Sequence, residues 1–117
     1  MDYGTCAAMC KALSDEGRLK IVDMLSCGEL CACELLEHLE ISQSTLSYHM
    51  KTLTSCGLVH GEKRGLWAYY RLDDALFAEL CSYVGKLSRY KDACICKSAG
   101  GKCLDAKIDD NEIVGKR

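Results

Sequence analysis

The middle of the chain contains an amphipathic segment, Ser42-Gln43-Ser44-Thr45-Leu46-Ser47-Tyr48-His49-Met50-Lys51. Leu46, Met50 and Leu53 follow one another at spacings of four and three, which predicts a helix over 44–55 with one apolar face. Ser42 is a candidate N-cap, and Cys56-Gly57 is expected to end the helix. The polar face carries side chains that pair with bases or phosphates, although polar faces are also common on ordinary surface helices. The predicted DNA contacts here are Ser42, Gln43, Ser44, Thr45, Ser47, Tyr48, His49 and Lys51.

The segments on either side predict a mainly α fold with a small β-hairpin. Helices are expected at 5–13, at 15–25 after Ser14 as N-cap, and at 29–39. Residues 58–63 and 66–72 favour two strands around the turn Lys63-Arg64-Gly65, and a last helix follows Asp73 and Asp74. The short link at 40–42 joins two helices as in a helix-turn-helix, whose second helix enters the major groove of DNA. Lys63 and Arg64 would then lie in a basic wing beside that helix.

Charge and composition agree with a DNA-binding protein that lies in the cytoplasm. The 117 residues carry a net charge of −2, but residues 42–72 contain four Lys or Arg against one acid. This local excess of positive charge favours an anion-binding surface. Secretory and membrane-spanning patterns are both missing, so no membrane partner is expected. The predicted organisation is a DNA-binding and dimerisation domain at 1–91, followed by a flexible cysteine-containing tail at 92–117.

Several of these motifs together resemble the ArsR/SmtB family of winged-helix repressors, and within it the arsenical-resistance-operon repressors. The resemblance covers about residues 5–90 and includes Ser42–Lys51, together with 11–15, 29–35, 57–59 and 65–72. Two positions depart from the family pattern, since Ser44 stands where Pro is frequent and Glu16-Gly17 where Pro-Thr is frequent. The resemblance implies a homodimer through the first and last helices, bound to palindromic operator DNA. The last helix carries an apolar stripe that suits this contact, although such a stripe is more often core within one chain: Leu76, Phe77, Leu80, Val84 and Leu87.

Ten cysteines in a chain without an export signal predict reduced thiols, which bind soft metals, respond to redox change or fill the core. Cys31 and Cys33 resemble the Leu-Cys-x-Cys ligands of arsenic and cadmium sensors in this family. In a regular helix their side chains would point about 200° apart, so they converge only if the first turn is extended. We expect the nearby helix N-terminus to lower the pKa of both thiols. The alternative is two small buried apolar side chains.

The remaining ligands of this site stay open. A trivalent arsenic centre in the family takes three thiolates, but the position of the third carries Leu36 here. Candidates are Cys27, Cys6 and Cys10, of which the last two resemble the N-terminal pair of four-thiolate cadmium or lead sites. A second candidate set lies in the tail and consists of Cys94, Cys96 and Cys103.

The expected function is a repressor released from DNA by As(III) or Sb(III), without an organic cofactor. One alternative is a Cd(II) or Pb(II) sensor that uses Cys6, Cys10, Cys31 and Cys33, and another is a thiol-redox switch on the same fold. Zinc sensors of the family that this chain resembles often use Asp and His ligands on the last helix. Because residues 73–90 contain no histidine, zinc is disfavoured. An enzyme, such as a thiol oxidoreductase, is disfavoured because the chain lacks a βαβ pattern, a phosphate-binding glycine loop and a Cys-x-x-Cys motif.

Overall fold

A computed structural model describes residues 1–89, and these form five helices and three short strands. The winged helix-turn-helix prediction is confirmed, because a hairpin follows the helix-turn-helix and a final helix closes the fold. Among the described residues, no helix is both long enough and apolar enough to cross a membrane. The elements in chain order are α1 Tyr3–Leu13, α2 Glu16–Leu25, β1 Leu30–Cys31, α3 Ala32–His38, α4 Gln43–Ser55, β2 Val59–Arg64, β3 Trp67–Leu72 and α5 Asp74–Leu87.

Short polar side chains cap the helices. The Ser42 hydroxyl accepts a hydrogen bond from the backbone N–H of Thr45 at 3.1 Å, so its predicted role at the start of α4 is confirmed. The prediction for Ser14 is wrong, because Asp15 caps α2 by accepting from the Arg18 N–H at 3.2 Å. Ser14 instead ends α1 and donates its hydroxyl to the carbonyl of Lys11.

The sheet contains a strand that periodicity did not predict. Its order is β1-β3-β2, and all pairs are antiparallel. Leu30 and Cys31 pair with Tyr70 and Tyr69 of β3, so the predicted helix at 29–39 is wrong over its first turn, and α3 begins only at Ala32. The physical reason is that the free edge of β3 offers backbone hydrogen bonds to a segment about 40 residues away.

The core holds α4 by its apolar face and leaves the opposite face exposed. Leu46, Met50 and Leu53 are buried in a cluster with residues of α2, α3 and β2, such as Ile21 and Leu35. A burial pattern of this kind fixes the rotation of an amphipathic helix about its axis. The exposed face of α4 is therefore presented as one continuous surface.

The apolar stripe of α5 is divided between the core of the chain and the surface. Leu80 is only 3% exposed and packs with Cys6, Met9 and Leu58 beneath α1, so its predicted place at a dimer contact is wrong. Leu76 and Phe77 are half-buried against the same core. Val84 and Leu87 remain exposed. The apolar stripe alone does not distinguish a core contact within the chain from a contact between two chains, because both need the same 3.6-residue spacing.

Residues Met1–Leu87 form one unit. The predicted domain boundary at 91/92 lies outside the described residues. The same holds for the three tail cysteines, Cys94, Cys96 and Cys103, whose role stays a prediction.

Candidate nucleic-acid interface and thiol sites

The N-terminal half of α4 forms a polar, exposed surface. Around the cap, the Ser42 hydroxyl donates to the hydroxyl of Thr45 at 3.0 Å and lies 3.1 Å from that of Ser44. This hydroxyl cluster sits beside the free backbone N–H groups of the helix N-terminus, an arrangement that suits a phosphate group. The other predicted contacts exposed on this helix are Gln43, Ser47, Tyr48 and Lys51.

His49 is not on this exposed surface, so the expectation that it faces DNA is wrong. Its side chain is buried, with Nδ1 3.1 Å from Nη1 of Arg18 and Nε2 3.7 Å from Oδ2 of Asp15. Arg18 also donates from Nε to the carbonyl oxygen of Ala12. His49 therefore joins α4 to the start of α2. The sequence held a signal for this, because His49 stands three residues after Leu46 and so falls on the apolar stripe.

The two basic wing residues differ in their surroundings. Lys63 is exposed on β2. Arg64 forms a bidentate ion pair with Glu29, at 2.8 and 2.9 Å, and a further hydrogen bond to Glu62 at 2.8 Å. Its guanidinium group also lies 4.5 Å from the centre of the Tyr69 ring. The carboxylates, Glu29 first, raise the pKa of Arg64, and any phosphate contact by Arg64 must compete with them.

Cys31 and Cys33 meet the geometric condition for a shared ligand. Cys31 is the N-cap of α3 and has an extended backbone, with φ −85° and ψ 163°. Its backbone N–H donates to Oε1 of Glu34 at 2.9 Å, which holds the first turn in place. Cys31 is buried, whereas Cys33 is exposed. In a regular helix the two thiols would point in nearly opposite directions. Because the backbone at Cys31 is extended, the Cys31 and Cys33 thiols can converge on one ligand.

The expected lowering of the thiol pKa does not occur at Cys31. A hydrogen bond with the Cys33 thiol raises the pKa of Cys31, and burial adds to this effect. The backbone N–H groups of Glu34 and Cys33 act in the opposite direction but do not prevail. The Cys31 thiol is therefore protonated over a wider pH range than the helix N-terminus alone predicts.

A second thiol pair lies on α1. The sulfur atoms of Cys6 and Cys10 are 4.0 Å apart, as the i, i+4 spacing on one helix face predicts. Burial, followed by the contact with Cys10, raises the pKa of Cys6. Cys27 is exposed in the turn after α2. Within residues 1–89, no three Cys, His, Asp or Glu side chains come together in a group that could hold a metal ion.

Comparison with known proteins identifies the family. The model of the bacterial regulatory protein arsR family matches residues 15–60. The chain is 42% identical over 104 residues to the arsenical resistance operon repressor of Staphylococcus aureus, which covers 88% of this chain and 100% of that relative. The protein belongs to the ArsR family. The resemblance stated from the sequence is therefore confirmed, and the family and these relatives are transcriptional regulators.

Two further comparisons bear on the site and the fold. The chain is 44% identical over 69 residues to a cadmium resistance transcriptional regulatory protein CadC homolog of Staphylococcus aureus, covering 58% of this chain and 57% of that one. An ArsR-like transcriptional regulator from Rhodococcus sp. RHA1 superposes with a TM-score of 0.66 at 29% identity, over 73% of this chain and 80% of that structure. These similarities agree with the winged helix-turn-helix found here.

Sequence reasoning missed two residues that organise the site of this ArsR-family chain. Glu29 holds the wing through Arg64, and Arg18 of α2 contacts the buried side chain of His49 on α4. Glu29 and Arg64 are 35 residues apart, so no local pattern marks them as partners. Only the three-dimensional fold brings the carboxylate and the guanidinium group together.

Proposed function

We propose that this protein is a homodimeric transcriptional repressor of an arsenical-resistance operon, released from its operator when As(III) or Sb(III) binds cysteine thiolates. The observation that carries the proposal is the similarity to the Staphylococcus aureus arsenical resistance operon repressor over the whole length of that relative. The extended turn at Cys31, next to Cys33, adds a candidate inducer site to that similarity.

The exposed face of α4 is the proposed base-recognition surface in the major groove. Gln43 has the amide that pairs with adenine, and the hydroxyl cluster at Ser42 suits a flanking phosphate. Lys51 and the wing residue Lys63 are exposed cations that neutralise further phosphates. In a two-fold dimer, two such helices would contact successive major grooves about 34 Å apart on a palindrome.

The proposed dimer uses the surfaces that α1 and α5 leave uncovered. Val84 is 42% and Leu87 50% exposed on α5, while Tyr3 at the start of α1 is 60% exposed. Tyr3 lies edge-on to Tyr83 of α5, with 6.3 Å between ring centres, so the exposed parts of the two helices are adjacent. Exposed apolar side chains on neighbouring helices favour a contact between copies of the chain.

Cys31 and Cys33 would supply two thiolates to the inducer. The third would come from Cys27, Cys6 or Cys10, while the three tail cysteines form a separate candidate set. Trivalent arsenic supplies three bonds to sulfur, and each is made as a thiol proton and an arsenic hydroxyl leave together as water. A nearly complete switch from bound to free DNA requires roughly 5.5 kcal/mol of preference for the state that does not bind DNA.

A Cd(II) or Pb(II) sensor is the second candidate. It is favoured by the 4.0 Å separation of Cys6 and Cys10, which makes a second thiol pair available in addition to Cys31 and Cys33. The similarity to the cadmium regulator homolog points the same way. The two pairs belong to separate places in residues 1–89, so a four-thiolate site would require a rearrangement or a second copy of the chain.

A DNA-release titration distinguishes these candidates. The reduced protein is bound to fluorescently labelled DNA from the region upstream of its gene, and anisotropy is followed while arsenite, antimonite, cadmium or peroxide is added. Release at the lowest concentration by arsenite or antimonite supports the proposal. Release by cadmium alone supports the four-thiolate alternative, and release by peroxide alone supports a redox switch. A protein that binds none of this DNA contradicts the proposed function.

A further inference from the structure

The wing is held by a contact from the segment that carries the Cys31–Cys33 pair. We propose that the Glu29–Arg64 ion pair, here called the wing latch, transmits ligand binding at Cys31 and Cys33 to the wing. Glu29 acts in this proposal as a positioning residue, since it acts through Arg64. The inference rests on the proposed function for the identity of the ligand and of the DNA.

The latch is a directional contact between two separate elements. Glu29 directly precedes β1, and Arg64 is the last residue of β2, at the tip of the wing. Both carboxylate oxygens of Glu29 accept hydrogen bonds from Arg64, at 2.8 Å from Nη1 and 2.9 Å from Nη2. A bidentate pair of this kind depends strongly on how the planar carboxylate and the planar guanidinium group are placed relative to each other. A small displacement of Glu29 would therefore break it.

The thiol segment and the wing also share Tyr69. Cys31 pairs with Tyr69 across the β1–β3 ladder, and the Tyr69 ring lies beneath the Arg64 guanidinium group. Tyr69 therefore supports the same guanidinium group that Glu29 binds. A displacement at Cys31 would disturb both the carboxylate and the ring that hold Arg64 in the wing latch.

The element between the thiols and the latch is short and weakly held. β1 consists of Leu30 and Cys31 alone, so few backbone hydrogen bonds resist its displacement. Binding both sulfur atoms to one centre constrains residues 31–33 to a geometry set by the ligand. The side chains of Glu29 and Arg64 are 34% and 46% exposed, and an ion pair with that much water access costs little to open. The latch is therefore the part of this chain of contacts that is expected to yield first.

Glu62 offers a matched control, because its carboxylate bonds the same guanidinium group at 2.8 Å. Glu62 lies on β2 itself, two residues before Arg64, and it is linked to the thiol segment only across β3, through the pairing of Tyr69 with both Glu62 and Cys31. Glu29→Gln and Glu62→Gln each remove one carboxylate charge from Arg64. Only the first interrupts the proposed route.

Trp67 provides a readout that needs no DNA. It is the only tryptophan in the chain, it is 56% exposed, and it pairs with Arg64 across the β2–β3 hairpin. A shift of the wing tip should therefore change its fluorescence emission. The second readout is the ratio of the DNA Kd with arsenite to the Kd without it, which cancels any effect of a substitution on DNA binding alone.

The experiment compares the full-length reduced protein with its Glu29→Gln and Glu62→Gln variants. Arsenite should change Trp67 emission and weaken DNA binding in the wild type and in Glu62→Gln. In Glu29→Gln, we expect the Kd ratio to fall at least about fivefold and the Trp67 response to be largely lost. The Cys31→Ser/Cys33→Ser substitutions should abolish the Trp67 response to arsenite, both alone and combined with Glu62→Gln.

An unchanged Kd ratio and Trp67 response in Glu29→Gln overturn the wing latch, even if arsenite releases the wild type normally. Equal losses in Glu29→Gln and Glu62→Gln also overturn it, since the effect would then reflect the charge on Arg64 alone. A wild type that binds DNA but is not released by arsenite contradicts the proposed function, which is a separate and recognisable result.

Discussion

The imidazole Nε2 of His60 lies 2.7 Å from Oδ2 of Asp73, and this contact ties the start of the wing to the start of α5. Asp73 also caps α5, because its Oδ1 accepts from the backbone N–H of Leu76 at 2.9 Å. Its own backbone N–H donates to the carbonyl of Leu58 at 2.8 Å. One aspartate thus fixes the angle between the wing and the helix proposed to form the dimer.

The first prediction concerns the pH dependence of this contact. The hydrogen bond with His60, followed by that from the Leu76 N–H, lowers the pKa of Asp73. A lowered pKa in the folded state means that the stabilisation is present above the unfolded pKa and is lost as pH falls through the folded one. Asp73→Ala should therefore lower Tm clearly at pH 7, and this deficit should shrink as pH falls below the unfolded pKa of about 3.9.

Asp74→Ala is the control for this experiment, because Asp74 is exposed in the first turn of α5. Its substitution should lower Tm much less than that of Asp73 at pH 7. Thermal unfolding followed by circular dichroism measures both. A deficit for Asp73→Ala that is the same at pH 7 and pH 3 would contradict the assigned contact.

The second prediction uses two neighbours on α4 with opposite surroundings. Tyr48 is 65% exposed, whereas His49 is 8% exposed and contacts Arg18. Tyr48→Ala should weaken DNA binding with little change in the free energy of unfolding. His49→Ala should lower the free energy of unfolding by about 1–3 kcal/mol, because it removes the buried imidazole and the partner of Nη1 of Arg18. Urea unfolding and DNA anisotropy together test this, and the reverse pattern would refute the orientation of α4.

The sequence predicted what local periodicity encodes and missed what distant contacts decide. The stripe at Leu46, Met50 and Leu53 located α4 correctly, and Ser42 marked its start. The two-residue strand β1 could not be predicted, because it exists only through pairing with β3. The burial of Leu80 followed from the packing of α1 on α5, which no pattern within α5 reveals.

The candidate site follows the same division. The polar face of α4 and the two thiol pairs were recognisable from residue types and spacing. The engagement of Arg64 by Glu29 and of His49 by Arg18 was not, since each pair spans more than 30 residues of sequence. Arg64 and His49, which the sequence assigned to DNA contact, thus have partners that are distant in the sequence.

The third prediction concerns phosphate contact by α4. Lys51→Ala should weaken binding to operator and random DNA alike, and it should reduce the slope of log K against log salt concentration by about 1 per protomer. Lys20→Ala is the control, because Lys20 is exposed on α2 and pairs with Glu16 at 3.8 Å. Anisotropy titrations over a range of salt concentrations measure both variants. An unchanged slope for Lys51→Ala would remove this residue from the interface.

The fourth prediction separates the two inducer chemistries by their proton balance. Because the pKa of Cys31 is raised, its thiol is protonated near neutral pH. Neutral arsenous acid takes up the thiol proton as water, whereas Cd(II) releases it to solvent. Cadmium affinity should therefore rise steeply between pH 6 and about pH 8, and arsenite affinity should change little. A steep pH dependence for arsenite would contradict the assigned protonation state.

The most direct test of the central claim is arsenite titration of the operator complex, with the wild type compared to Cys31→Ser/Cys33→Ser and to a variant with Cys94, Cys96 and Cys103 all replaced by Ser. All three should bind DNA without arsenite. We expect arsenite to release the wild type and the tail variant from DNA but not Cys31→Ser/Cys33→Ser. Release of Cys31→Ser/Cys33→Ser at the same arsenite concentration as the wild type would contradict this expectation.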